Sequence, residues 1–381
     1  MAARDYQHQL TSEARLGRPK GWLARLHLDP LLLLLLLVLT CAGMVILYSG
    51  SNTDIGTLER QAIRMSLAFV VMFAFAQIDP AVYRRWGPWI YSAGVIALIA
   101  VAVVGVGAKG AQRWLQLPGL PRVQPSEFMK IAMPLMAAWY LGSRSLPPRL
   151  GSTAVCLLLI IVPVALIVSQ PDLGTGLLIT VSGVFVLFLA GIRWRYIVAF
   201  AGLIGLAAPV MWFFGMREYQ KQRVLTFLNP ESDPLGSGWN IIQSKTAIGS
   251  GGFSGKGYLQ GTQSHLDFLP ESHTDFIVAV LAEEFGFMGV IALVVVYLLI
   301  VMRGLYIAAQ AQDAFGRMLA GSLTLTFFIY AFVNMGMVSG LLPVVGVPLP
   351  LVSYGGTSIV TLMAAFGILM SIHTHRRFLT S

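Results

Sequence analysis

The sequence predicts an all-α integral membrane protein with about ten transmembrane helices and one long extracytoplasmic loop between helices 7 and 8, and three observations predict it. Of the 381 residues, 56% are hydrophobic and only 11% are charged, with a mean hydropathy of +0.74. A water-soluble chain of that make-up would expose apolar patches too large to stay in solution. Apolar runs able to cross the roughly 30 Å of a bilayer's hydrocarbon, which takes about 20 helical residues, recur along the chain. The Lys and Arg residues behind the formal net charge of +9 sit mainly in short connections between those runs. That pattern orients a membrane protein and does not suggest a nucleic-acid partner.

Residues 1–29 are polar and basic (Arg4, Arg15, Arg18, Lys20, Arg25) and are expected to form a cytoplasmic tail. The leucine run from Leu31 imitates a signal peptide, but it follows a long polar stretch and no small-residue cleavage site comes after it, so a retained first span is expected. Spans follow near 30–49, 62–78, 88–107, 127–141, 152–168, 173–190, 196–214, 275–302, 318–341 and 354–373. They make a polytopic domain over 30–375, with 376–381 as a second cytoplasmic tail. With the amino terminus inside, the inner connections carry Arg84 and Arg85, Arg144 and Arg149, Arg193 and Arg195, and Arg303 and Arg317, with Arg376 and Arg377 on the tail. The short outer connections hold fewer cations: Arg60 and Arg64, then Lys109, Arg113 and Arg122, and none in 169–172 or 342–353. Shifting the assignment by one span inverts the bias. Cys41 and Cys156 lie in apolar runs without neighbouring His or Cys, which supports neither a disulfide nor a zinc site and suggests buried, inert thiols.

The connection 215–274 is far longer than a usual loop, and its Trp239, Phe253, Tyr258 and Phe268 argue for a packed element. At its end, 269–276 reads Leu-Pro-Glu-Ser-His-Thr-Asp-Phe and sets Glu271, His273 and Asp275 at the water–lipid boundary. A partly desolvated Asp there can accept a proton. Ser272 and Asp275 also fit a capping box, so catalytic and capping roles both stand on spacing alone. Glu283 and Glu284 lie ~12–13 Å deeper along the same helix and must face protein or water; they suit a structural pair locking the bundle somewhat better than a cavity wall or a proton path.

In the fourth span Glu127 and Lys130 share a helix face, either as an intrahelical ion pair or with Lys130 serving a phosphorylated ligand. Asp172, in the short turn Gln170-Pro-Asp-Leu-Gly-Thr175, reads as an N-cap on the same membrane side as Asp275. The glycine-rich run 249–257 departs from a P-loop at both ends, having Ser250 and Gly257 at positions that motif reserves. Its amides, with Lys245 and Lys256, could still hold a pyrophosphate, although a flexible loop accounts for the composition. Segment 346–358, with glycines and prolines at membrane depth, is expected to wall a cavity. Ser353 lies within it without an evident base.

These segments resemble the SEDS family of shape, elongation, division and sporulation proteins. The resemblance covers nearly the whole chain after about residue 30. It is carried by Arg113-Trp-Leu, Gln124-Pro-Ser-Glu127 with Lys130, Gln170-Pro-Asp-Leu-Gly-Thr175, Gly249-Ser-Gly-Gly252, Gly255-Lys-Gly257, Gly261-Thr-Gln263, Phe268-Leu-Pro-Glu271, His273-Thr-Asp275 and Ser353-Tyr-Gly-Gly356. The stretch 261–271 is more similar to the elongation branch than to the division branch, and the polar amino-terminal extension has no match. The resemblance implies a ten-helix fold in the bacterial inner membrane and peptidoglycan glycosyltransferase activity on lipid II. It also implies a class B penicillin-binding protein as transpeptidase partner and a catalytic Asp275. On this reading Asp275 is the general base and Arg113, Glu127, Lys130, Asp172, Lys245, Lys256, Glu271, His273 and Ser353 are the substrate-binding candidates. Arg113, Lys130, Arg217, Arg223, Lys245 and Lys256 are candidates to neutralise a leaving pyrophosphate. A divalent cation such as Mg2+ could share that task, although no motif fixes a cofactor or a metal ligand set. A lipid II flippase and a noncatalytic scaffold for the penicillin-binding protein are the alternatives.

Overall fold

The computed structural model describes residues 26–108, 111–116, 123–216, 218–232, 237–265 and 272–375. Seven helices precede the long connection: α1 Pro30–Gly50, α2 Ile55–Ala76, α3 Pro80–Val104, α4 Pro125–Gly142, α5 Leu150–Ser169, α6 Leu173–Leu189 and α7 Trp194–Val210, the last running into a π turn at Met211–Gly215. Within the connection lie α8 Glu218–Leu228, α9 Ser237–Gly251 and the single turn α10 Thr262–His265. Three long helices close the chain: α11 Ile277–Ala309, α12 Ala314–Val338 and α13 Thr357–Thr374. The ten long helices coincide with the ten spans expected from sequence. Six of them (α1, α3, α5, α11, α12, α13) are long and apolar enough to cross a membrane on length and hydropathy alone. A short antiparallel hairpin, β1 Val106–Ala108 with β2 Ala111–Trp114, was not expected from the sequence.

The chain spends several of its few carboxylates on starting helices. Asp29, Asp54, Asp79, Asp172 and Asp313 each stand at an N-cap and accept a first-turn amide, as at Leu32 N to Asp29 Oδ1 (2.8 Å) and Gly316 N to Asp313 Oδ1 (2.9 Å). Proline follows immediately at Pro30 and Pro80, where its missing N–H costs nothing. Helix α12 is central, with 72% of its apolar window buried against 28% for α3, α5 and α11, whose outward residues face lipid. Cys156 is buried in the bundle as expected, but Cys41 is exposed. The buried stripe of α1 runs through Leu32, Leu36, Leu39, Gly43, Ile46 and Leu47, and Cys41 lies off that face.

Polar contacts sort the connections into two ends. At one end Ser272 Oγ donates to Gly50 O (3.0 Å), Arg113 donates to Gln170 O (3.2 Å), and Tyr354 N donates to His273 O (2.9 Å). At the other, Asp29 pairs with Arg303 and His373, and Gln77 donates to Leu26 O (2.6 Å). The segments that meet at each end are those that an even number of crossings places together.

Helix α11 is broken at Gly286 (φ 63°, ψ −161°), and the break explains the glycine-rich run. Lys256 N and Gly257 N donate to Glu283 O and Glu284 O (both 3.0 Å), while Phe287 N and Met288 N donate to Gly252 O and Phe253 O (3.0 and 3.2 Å). The run thus supplies the partners that the interrupted ladder loses, as helix breaks at membrane depth require. A Cβ at Gly286 would stand 2.3 Å from Gly255 N, so the backbones meet where only glycine fits. The amides of Lys256 and Gly257 are therefore committed to α11 and are not free to cradle a phosphate.

Candidate active site

At the end of the bundle that gathers 50–54, 111–116, 123–124, 170–176 and 272–276, the chain lines an open polar cavity of about 200 Å³. Its wall is built from Arg113 and Trp114 of β2, Gln124, Glu127 and Lys130 at the start of α4, Asp172 and Thr175 at the start of α6, Tyr330 of α12, and residues 346–348 and 355–358. Local chemistry explains each placement. Glu127 stands in the first turn of α4, where the helix dipole favours a carboxylate, with Pro125 fixing the entry of the chain. Asp172 caps α6 and also accepts from Gln124 Nε2 (3.0 Å), which ties the starts of α4 and α6 together.

Two charge pairs line the void. Lys130 Nζ lies 2.5 Å from Glu127 Oε1, donates to the Tyr330 hydroxyl and sits 4.7 Å over the Tyr330 ring; Thr361 Oγ1 approaches Glu127 Oε2 at 3.4 Å. Both residues of that pair are buried, so the intrahelical ion pair expected as one alternative is present, and it lines the cavity. Arg113 is anchored by its bonds to the carbonyls of Gln170 and Pro171 and lies 3.9 Å from Asp172 Oδ1. Arg113, half-buried beside the void, spends two of its five N–H donors on those carbonyls and keeps donor capacity for an anionic ligand.

Asp275 is half-buried at the margin of this cavity. Gly346, which lines it, has φ +75°, and a Cβ there would stand 3.6 Å from Asp275 Oδ2. Glycine at 346 therefore permits the left-handed turn that brings this segment against Asp275. The capping-box expectation is overturned. Helix α11 begins at Ile277 after Phe276 with no side-chain cap. The Ser272 hydroxyl donates to Gly50 O, and Asp275 precedes the helix instead of standing inside its first turn. Asn334, buried in α12, holds this corner by donating from Nδ2 to Asp275 O (2.8 Å) and Val347 O (2.7 Å). It clamps the backbone of the acid to the strand-like segment that walls the cavity, and so is a positioning residue.

The remaining candidates lie outside the wall. The His273 carbonyl accepts from Tyr354 N, and its ring packs edge-on to Tyr354 (5.9 Å between centroids), which Arg64 covers from 4.7 Å. Ser353 is buried behind the wall, its hydroxyl oxygen accepting Leu349 N–H (2.8 Å). Lys256 pairs with Glu283 (2.7 Å) and donates to Thr262 Oγ1 (2.7 Å); Glu283, fully buried, also accepts from Thr262 N and Gln263 N. Glu283 and Lys256 therefore fasten the loop to α11, in line with the structural reading of Glu283. The exposed Lys245 reaches over Gly340 at the end of α12. Glu271, Arg217 and the side chain of Arg223 lie outside the described residues. Among the described residues no three His, Cys, Asp or Glu side chains converge to hold a metal. Mg2+ needs only one or two carboxylates when a substrate phosphate supplies the rest, so the cavity's separate acids do not speak against it. Gln124, Tyr330 and Asn334 were not singled out from sequence. For Asn334 and Tyr330 the available signal was a lone polar group in an apolar span.

Known proteins carry the same plan. The chain is 55% identical over 356 residues to peptidoglycan glycosyltransferase MrdB of Escherichia coli strain K12, covering 93% of this chain and 96% of that one. It is 39% identical over 362 residues to a probable peptidoglycan glycosyltransferase FtsW of Geobacter metallireducens, covering 92% and 95%. Among solved structures, a chain of a peptidoglycan synthase complex that coordinates polymerization and crosslinking superposes with a TM-score of 0.80 at 30% identity, covering 91% of this chain and 97% of that one. The rod shape determining protein RodA of Thermus thermophilus superposes at 0.69 with 28% identity, covering 91% and 96%. The FtsW/RodA/SpoVE family model, described as cell cycle protein, matches residues 25–378, and the chain belongs to that family.

Proposed function

We propose that the chain is a peptidoglycan glycosyltransferase of the elongation type, polymerising lipid II at the outer face of the bacterial inner membrane. The observation that carries this is the juxtaposition of a half-buried carboxylate, Asp275, with a polar cavity walled by Arg113, Lys130 and Asp172. Support for the substrate class comes from the relatives, named as peptidoglycan glycosyltransferases over almost their full length. The basic connections at the opposite end support a cytoplasmic orientation for that end and for both termini.

In the proposed reaction Asp275 accepts the proton of the acceptor GlcNAc 4-hydroxyl as its oxygen bonds to C1 of the lipid-linked donor MurNAc. The C1–O bond to undecaprenyl pyrophosphate breaks, the electron pair leaves with the pyrophosphate, and the α-linked donor becomes a β-1,4 product. A free hydroxyl is too weak an acid to ionise first, so proton transfer accompanies attack, a contribution typically worth ~10²–10⁴ in rate. Arg113 and Lys130, the two cations of the wall, meet the charge developing on the leaving group; a divalent cation, were it held by Asp172 or Glu127 of the wall, would supply further positive charge for the same purpose. The relative solved within a peptidoglycan synthase complex points to a class B penicillin-binding protein as the partner that crosslinks the product.

The test is polymer formation from lipid II by the purified chain in detergent, where no second compartment exists. Glycan strands are expected; a protein that only moves lipid II between leaflets makes none, and their absence with and without a transpeptidase partner would overturn the enzymatic assignment.

A further inference from the structure

A second cleft lies towards the opposite end of the bundle and differs from the active-site cavity in chemistry. It is apolar, about 470 Å³ in volume, and formed between α5, α6 and α7 by residues that include Leu157, Val184, Phe188 and Phe200. Phe188 and Phe200 are exposed along it, so it opens sideways onto the bilayer. At its mouth stand Leu150, Ile192 and Tyr196, and each adjoins an arginine in sequence: Arg149, Arg193 and Arg195. All three arginines are exposed, and none is paired with a carboxylate among the described residues. The Arg195 guanidinium lies 5.2 Å over the Tyr196 ring, which holds its charge at the cleft.

An apolar slot the size of a small-molecule site, opening at the membrane interface beneath three uncompensated cations, matches one kind of occupant. We propose that this cleft binds an anionic phospholipid of the leaflet at that face, with an acyl chain in the slot and the phosphate among Arg149, Arg193 and Arg195. Charge complementarity selects this occupant. A partner helix would fill the slot and leave the arginines without counter-charge, and a zwitterionic lipid brings its own cation to the same place. Basic pockets between helices at a membrane's cytoplasmic side recognise anionic headgroups by this logic. The inference rests on the membrane location of the chain and not on the role of Asp275.

The test uses the full-length protein in nanodiscs of phosphatidylcholine doped with phosphatidylglycerol, followed by native mass spectrometry of the lipids that stay bound on release. Wild type should retain phosphatidylglycerol over phosphatidylcholine by roughly tenfold or more, given what individual arginines contribute near a membrane surface. Combining Arg149→Gln, Arg193→Gln and Arg195→Gln should bring the ratio close to one. The same number of neutralisations elsewhere on that face (Arg84→Gln, Arg85→Gln, Arg317→Gln) should leave it. Ala154→Phe, which fills the slot without altering charge, should lower retention as well. Equal retention of the two lipids by wild type, an unchanged ratio in the first triple variant, an equal loss in the second, or full retention in Ala154→Phe would each overturn the proposal.

Discussion

At the proposed inner end of the bundle, away from the polar cavity, Asp29 is 1% exposed and fully engaged. It receives Arg303 through Nη2 at 2.5 Å and Nε at 3.1 Å, His373 Nε2 at 3.3 Å and Leu32 N at 2.8 Å, and so joins α1, α11 and α13. At the outer end Glu127 and Lys130 are almost as deeply buried, yet they and Asp172 face a void, with Asp275 at its edge. Both clusters hold charge that is buried in protein, where it is costly unless partnered. The difference teaches that access separates the two uses: the inner carboxylate is saturated by partners and locks helices together, whereas the outer charges keep an open side for a ligand.

Substitutions at the two ends sharpen that contrast. Lys130→Met should have the largest effect, because it leaves Glu127 buried without its cation. A stability loss of about 3–5 kcal/mol is expected, together with loss of polymerisation. Adding Glu127→Gln should recover much of the melting temperature but not the activity, and a double variant that regained both would make the pair purely structural. Asp29→Asn should cost about 2–3 kcal/mol by stranding Arg303, while turnover per folded molecule stays within about twofold. A collapse of turnover in a stably folded Asp29 variant would erase the distinction between the two ends.

Asn334→Leu should act on geometry. It removes both donors that hold Asp275 O and Val347 O, so kcat should fall on the order of tenfold or more with KM for lipid II little changed. Asn334→Gln should restore part of the rate, and a variant altered only in melting temperature would demote Asn334 to a packing residue. The smallest effect concerns the inner end. The rings of His27 and His375 stack at 3.8 Å, and the His27 imidazole is held below its ordinary value of 6.5, first by burial and then by His375. The fold favours neutral His27 while the unfolded chain protonates more readily, so this contribution is complete above about pH 6.5 and is lost as pH falls through the folded value. The melting temperature of wild type should therefore drop more on that acidification than that of His27→Gln, and parallel curves would show that the stack bears no load.

The ten spans were legible because apolar length is a one-dimensional property, and each long helix falls on a run that can be counted along the chain. Asp275, Lys130 and Asp172 were legible as candidates from their charge or capping position, whereas Arg113 was singled out only through the family resemblance. What stayed hidden depended on distant partners. Ser272 bonds to Gly50 on α1, so a local capping rule misjudged its role. The glycine run 249–257 serves a break at Gly286 some thirty residues away in sequence, which no local composition announces. Asn334 is one polar residue in an otherwise apolar stretch of α12, and only the contact of its amide with two separate backbone segments shows what it holds.

The account is tested most directly by the polymerisation rate of purified Asp275→Asn on lipid II, with melting temperature measured beside it and Asp29→Asn as the comparison. A rate lower by at least ~10² with an unchanged melting temperature is expected for Asp275→Asn, and the reverse pattern for Asp29→Asn. Near-normal strand formation by a folded Asp275→Asn protein would contradict the assignment of the base and, with it, the division of labour between the two ends.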